Sequence, residues 1–208
     1  MAVLSNFKVP VDGTQPEGTT LMPKLAYRFR VTFQNFGGSN ATDSLIRLTR
    51  NLVSCGRPDI QHDEIVLDVY NSKVYMAGKH TWQPIQCVIR DDVDGNVIKA
   101  IASQLQNQID HAAQSAPIAG VNYKFGMFIE TLDGSNPANE DSILDSWNMS
   151  GCFLQQVQYS ESNYASGTEV QTVTLSIRYD NAEQTGANGV ALLSRAPSRL
   201  NIGATTSN

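Results

Sequence analysis

Side chains suited to chemistry are few and scattered in this chain of 208 residues. The histidines are His62, His80 and His111, and none falls in His-Glu-x-x-His or another spacing that puts two imidazoles on one metal. Cys55, Cys87 and Cys152 are odd in number and far apart, without a Cys-x-x-Cys step, so they read as buried free thiols of a reducing compartment. Asp92-Val93-Asp94-Gly95-Asn96 opens with the rhythm of a calcium loop. Its sixth position is Val97 rather than glycine and its twelfth is Ser103 rather than glutamate, so it reads as a turn and helix cap. Gly186-x-x-Gly189 has loop composition, and neither a phosphate loop nor a Gly-x-Ser-x-Gly elbow occurs in the sequence. His80 beside Trp82 has the makings of a base-stacking pair, but no basic run accompanies it, so Trp82 is expected to pack in a sheet. Asn40-Ala41-Thr42 and Asn148-Met149-Ser150 match glycosylation sequons that a cytoplasmic chain leaves unused. No catalytic, cofactor or metal residue is expected, and the chain reads as a non-enzyme.

The elements that must position these residues are mostly strands. Leu25, Tyr27, Phe29, Val31 and Phe33 alternate with Ala26, Arg28, Arg30 and Thr32, the period of a half-buried strand, which Gly37-Gly38-Ser39-Asn40 ends. Leu45 to Cys55 is a second candidate strand, stopped at Gly56-Arg57-Pro58. Two more run from Ile65 to Tyr75 and from His80 to Arg90, with a turn at Gly78 and a break at Asn71-Ser72. A helix over about 96–111, capped by Asp94 or Asn96, carries Val97, Ile101, Leu105 and Ile109 as one apolar stripe. Strands then follow from Tyr123, over Ser146 to Tyr159, and over Val170 to Tyr179.

These elements predict a mainly β (α+β) fold, a sandwich or barrel of antiparallel strands with one flanking helix. The domain is expected over 23–182, between an extended N-terminal arm at 1–22 and a C-terminal arm at 183–208. Both arms are rich in loop-forming residues. Gly134 to Asp141 reads as an exposed loop.

Composition agrees with strands and loops. Charged residues are 17%, below the usual quarter, so the polar share lies in uncharged side chains. Fifteen basic residues face 20 acidic ones, the net charge is −5, and the pI is about 5.1. A general nucleic-acid binder normally shows the opposite balance. The N-terminus is too short in apolar residues for a signal peptide, and no stretch of the sequence reaches the length of a membrane span. The chain is thus expected to be soluble and made in a cytoplasm.

The segment from Val69 through Tyr70-Asn71-Ser72-Lys73-Val74-Tyr75-Met76-Ala77-Gly78-Lys79-His80-Thr81-Trp82 is the informative one. It continues into Gln86-Cys87-Val88-Ile89-Arg90-Asp91-Asp92 and the helix. This order resembles the tail-tube protein of contractile-tailed bacteriophages: an aromatic-Asn-basic step, an Ala-Gly-basic turn, a Thr-aromatic strand and an acidic helix cap. Tyr27-Arg28-Phe29-Arg30-Val31 resembles that family's opening strand, and the Trp147 region and Ser176-Ile177-Arg178-Tyr179-Asp180 its last two. The resemblance covers roughly residues 22 to 182.

What the resemblance implies is a structural subunit. Hexameric rings would stack into a hollow tube inside a contractile sheath, their strands closing a continuous barrel through which DNA leaves. Its partners would be copies of itself, the sheath protein, baseplate and tail-terminator proteins, then a tape-measure protein and genomic DNA in the lumen without sequence specificity. It would be located in the virion after assembly in the host bacterial cytoplasm. The hairpin from Glu64 to Trp82 is expected to reach neighbouring subunits and rings through Val66, Asp68, Tyr70, Asn71, Lys73, Val74, Tyr75, Gly78, Lys79 and His80. Small neutral side chains at Gln156, Gln158, Thr172, Thr174 and Ser176 are expected to face the lumen, because dense lysine or arginine there would grip phosphates. Two related readings are the tube of a phage-tail-like bacteriocin or of a type VI secretion machine. A third, of another class, is a receptor- or carbohydrate-binding β-sandwich, for which the two tryptophans are few.

Overall fold

The computed structural model describes residues 23–38, 48–116, 123–134, 142–186 and 190–192. The expected arm at 1–22, Asn40, the loop at 135–141 and the end of the C-terminal arm lie outside the described residues.

Alternating apolar and polar residues build the sheets. Strand β6 (Phe125–Leu132) buries Phe125, Met127, Ile129 and Thr131 and leaves the residues between them half-buried. Strand β8 (Thr172–Arg178) does the same with Val173, Leu175 and Ile177. Strand β7 (Ile143–Tyr159) is 17 residues long and joins two sheet layers. Its first half pairs with β6 and with β9 (Asn181–Gly186), and its second half pairs with β8. Strand β1 (Phe29–Gln34) continues the first layer beyond β6. Strands β5 (Ile85–Arg90) and β2 (Leu52–Cys55) continue the second beyond β8, and every pairing is antiparallel. The path runs β1-β6-β7-β8-β5-β2, with β9 branching from β7.

The helix α1 (Asn96–Gln108) contributes Val97, Ala100, Ile101 and Gln104 to the core. Leu105 is only partly buried, Ile98 keeps 39% of its surface in water, and Ile109 lies just past the helix. Buried Gln104 tethers two loops: its Oε1 accepts from Gly37 N–H at 2.8 Å, and its Nε2 donates to the Tyr123 carbonyl at 2.6 Å. Gln108 bonds both backbone groups of Leu154 at 2.9 Å, fixing the helix to β7. The cap differs from the expectation. Gly95 is the N-cap residue, in the left-handed region at φ 67°, and Asp92 supplies the carboxylate that accepts from Val97 N–H at 3.2 Å. Asp94 and Asn96 do not cap the helix.

The other differences have local causes. β1 starts at Phe29 because Arg28 N–H bonds back to the Leu25 carbonyl and turns the preceding segment out, leaving Tyr27 exposed. Leu48 to Arg50 are helical, and only Leu52–Cys55 is strand. Leu45, Leu48 and Leu52 fit a helical period, whereas Ile46, Leu48 and Leu52 fit an alternating one, so the pattern alone does not decide between them.

The hairpin turn is not at Gly78. Strands β3 (Asp59–Val69) and β4 (Ser72–Gln83) pair Val69 with Ser72, so the turn is Tyr70-Asn71, with Tyr70 at φ 49°. Gly78 lies inside β4 opposite a register shift between His62 and Glu64, where a Cβ would meet the Asp63 carbonyl at 3.1 Å. The expected strand from His80 to Arg90 is two strands, because Pro84, lacking an N–H, separates β4 from β5. β9 crosses the boundary drawn at 182 and extends the sheet to Gly186.

Candidate assembly surfaces

The hairpin β3–β4 forms a two-stranded sheet of its own, apart from the seven-stranded one. Nearly all its residues are exposed, and register sorts them onto two faces. One face is mixed: Val66 opposes Tyr75, and Asp68 opposes Lys73 with an exposed ion pair at 3.6 Å. The other is apolar: Ile65 opposes Met76, Leu67 opposes Val74, and Val69 closes the row. Each of these five side chains keeps 44–47% of its surface in water. Tyr70, fully exposed at the tip, holds a positive φ that bulky residues rarely adopt.

All ten hairpin residues expected from sequence fall on this ribbon, but they mix its two faces. The alternation puts Ile65, Leu67 and Val69 on one face, but none of them, nor Met76, was expected among the contact residues, because with the turn placed at Gly78 their partners across the ladder were hidden. The Val69-Ser72 pairing is what reveals the apolar row.

Tilted and edge-on ring contacts run along the hairpin's base. His62 and His80 are register partners with ring centroids 6.1 Å apart, and His80 meets Trp82 edge-on at 6.1 Å. Trp82 is buried against Tyr179, at 5.6 Å. Trp82 therefore packs within the protein, as its sheet position suggested.

The candidate lumen residues share one face of the second layer. Gln156 pairs with Ser176 and Gln158 with Thr174, while Val173, Leu175 and Ile177 point to the core. Strand β5 extends the face with Gln86 opposite Ser176, Val88 opposite Thr174 and Arg90 opposite Thr172. Gln86 was not singled out from sequence, though its alternation with buried Ile85 and Cys87 carries the signal. On β5, β8 and residues 153–159 the face holds no carboxylate, and its charges are Arg90 and Arg178.

The two ends of the strand path do not meet. Between β1 and β2 lies a cleft of about 770 Å³, lined by Phe29, Arg30, Leu52, Cys55, Arg57 and Ile129 among others. Among the described residues the sheet is thus open, with unpaired edges at β1 and β2.

Two polar clusters brace the layers. Asp145, buried opposite Thr131, is paired with Lys24 at 3.1 Å. Burial pushes its carboxyl up, but hydrogen bonds with Thr131 and Lys24, with Arg57 nearby, outweigh this and hold it below the usual carboxylate range. Lys124 donates to Asp180, and that bond, opposed by burial, raises the lysine. Among the described residues no group of three or more His, Cys, Asp or Glu is placed to hold a metal, and no helix is long and apolar enough to cross a membrane.

Neither a protein-family model nor a curated protein sequence matches the chain. Solved structures do. The tube-terminating cap of the anti-feeding prophage superposes with a TM-score of 0.59 at 17% identity, over 85% of this chain and 100% of that one. A chain of the extended sheath–tube complex of an extracellular contractile injection system, PVC, gives 0.57 at 16%, over 79% and 93%. The SPP1 tail tube gives 0.51 at 13%, over 79% and 80%. The chain has the tail-tube fold: mainly antiparallel β-sheet with little helix.

Proposed function

We propose that this chain is the repeating subunit of the inner tube of a contractile bacteriophage tail. Its role is structural, without catalysis. Subunits close into hexameric rings, rings stack into a tube within a sheath, and DNA leaves through the lumen. The observation that carries this reading is the uncovered apolar row Ile65, Leu67, Val69, Val74 and Met76 on a hairpin detached from the main sheet. Covering half-exposed side chains of this kind contributes about 1 kcal/mol each. One contact is therefore worth several kcal/mol, and a ring repeats it around its circumference. The tail-tube fold and the open cleft between β1 and β2 add support, since a neighbour's strand would cap edges that otherwise invite aggregation.

Partners follow from that role: further copies, the sheath, the baseplate and tail terminator, then tape-measure protein and DNA in turn. The uncharged stretch Gln86, Gln156, Gln158, Thr174 and Ser176, flanked on the same face by Arg90 and Arg178, suits the lumen, because most of it offers a sliding polyanion no grip and the face carries no carboxylate to repel it. A phage-tail-like injection machine is the second reading. It is favoured by the anti-feeding prophage and PVC chains, whose superpositions are better than that of the SPP1 tube.

Negative-stain microscopy of the purified chain tests the assembly. Hollow tubes with a stacked-ring repeat are expected, and a monodisperse monomer at high concentration would overturn the proposal. Neighbouring genes for a capsid and packaging machinery, as against a toxin payload, separate the two readings.

A further inference from the structure

Cys55 and Cys87, 32 positions apart in sequence, are register partners across β2 and β5, with Sγ atoms 2.7 Å apart. The bond from Gly56 N–H to the Gln86 carbonyl at 2.8 Å lies beside them, so they occupy a non-hydrogen-bonded position of the ladder. Such positions bring Cα atoms to about 4.5 Å, within the span that a disulfide bridges. The two thiols differ in access. Cys87 is fully buried, whereas Cys55 is partly exposed and lines the cleft between β1 and β2. Cys152 is also buried, but its thiol lies against the Met149 carbonyl, and burial pushes it up to about 12.

We propose that Cys55 and Cys87 form an intrachain disulfide on meeting a small-molecule disulfide such as oxidised glutathione, stapling strand β2 to β5. The Cys55 thiolate attacks one sulfur of the oxidant. That S–S bond breaks, and one glutathione leaves with the electron pair and takes up a proton. Cys87 then gives its proton to water and attacks Cys55 Sγ, releasing the second glutathione. Two protein thiols are oxidised, one external disulfide is reduced, and two hydrogens pass from the chain to glutathione. The order follows from access, and also from the hydrogen bond to Cys55 and the burial that keep Cys87 protonated.

The staple acts where the sheet is held least. β2 has four residues, its register shifts between Leu52 and Ser54, and among the described strands it pairs with β5 alone. The bridge closes a loop that contains the whole β3–β4 hairpin, so it restrains the hairpin's root. A reducing interior would keep the thiols apart during assembly, and an oxidising exterior would join them afterwards. The chemistry does not depend on the proposed function.

Purified full-length protein is treated with oxidised glutathione, then analysed by intact mass and non-reducing peptide mapping. The expected product is lighter by two hydrogens, links Cys55 to Cys87, and leaves Cys152 free. Its Tm rises by at least about 5 °C, reversibly with dithiothreitol. C55S and C87S each lose the mass change and the Tm rise, while C152A keeps both. Three free thiols after treatment, glutathione retained on Cys55, or a Cys55 link between two copies would each overturn the proposal.

Discussion

Gly151 and Asp180 meet at the corner where β7 leaves one layer for the other. Gly151 has φ 68°, Asp180 N–H bonds the Ser150 carbonyl at 3.1 Å, and a Cβ on residue 151 would collide with the Asp180 carboxylate. Two penalties therefore stack on Gly151→Ala: left-handed backbone strain of about 1–2 kcal/mol and the clash. Denaturant unfolding should show a total loss of about 2–4 kcal/mol. In an Asp180→Gly background, which already lacks the Lys124 ion pair, adding Gly151→Ala should cost only the backbone part.

Hairpin truncation separates folding from assembly. Glu64 pairs with Ala77, so replacing residues 65–76 with Asn-Gly shortens both strands equally and keeps the ladder below. The variant should keep the native circular dichroism and thermal transition of its core, since the removed residues are exposed. It should form no tubes by sedimentation or microscopy. Normal tubes would remove the hairpin from the assembly contacts.

Asp145 gives the fold an acid-sensitive brace. Its folded value is depressed, so its contribution is complete above the unfolded carboxylate value of about 4 and is lost as pH falls through the lower folded value. Asp145→Asn should cost about 1–3 kcal/mol at neutral pH. It should also flatten the decline of stability below about pH 4, as read from urea midpoints across a pH series.

Lysines on the proposed lumen face should turn a slide into a grip. Gln156→Lys and Gln158→Lys lie on exposed positions, so folding and tube formation should be unchanged. Tubes carrying both should retain DNA at low salt and release it as salt rises, in a filter-retention assay. Retention equal to wild type would mean that this face does not line the channel.

Much of the fold was legible because burial here follows alternation. Phe125 to Thr131 and Val173 to Ile177 sit in the core as their period dictates. The hairpin was misplaced for a physical reason. With both faces in water, period-2 patterning has no core to report, and Gly78 looked like a turn when it was accommodating the chain opposite at Asp63. Strand β9 went unseen because Asn181-Ala182-Glu183-Gln184 carries one buried side chain, Ala182, and is held by pairing with β7. The Cys55–Cys87 pairing had no local signal, since register between β2 and β5 is a tertiary property.

The 17 residues of β7 follow a backbone contour of about 58 Å, bent at Gly151. Because that one strand belongs to both layers, a force tending to slide one layer over the other meets a covalent tie rather than a dry side-chain contact. Under sudden axial load the two layers would move as a single stiff wall.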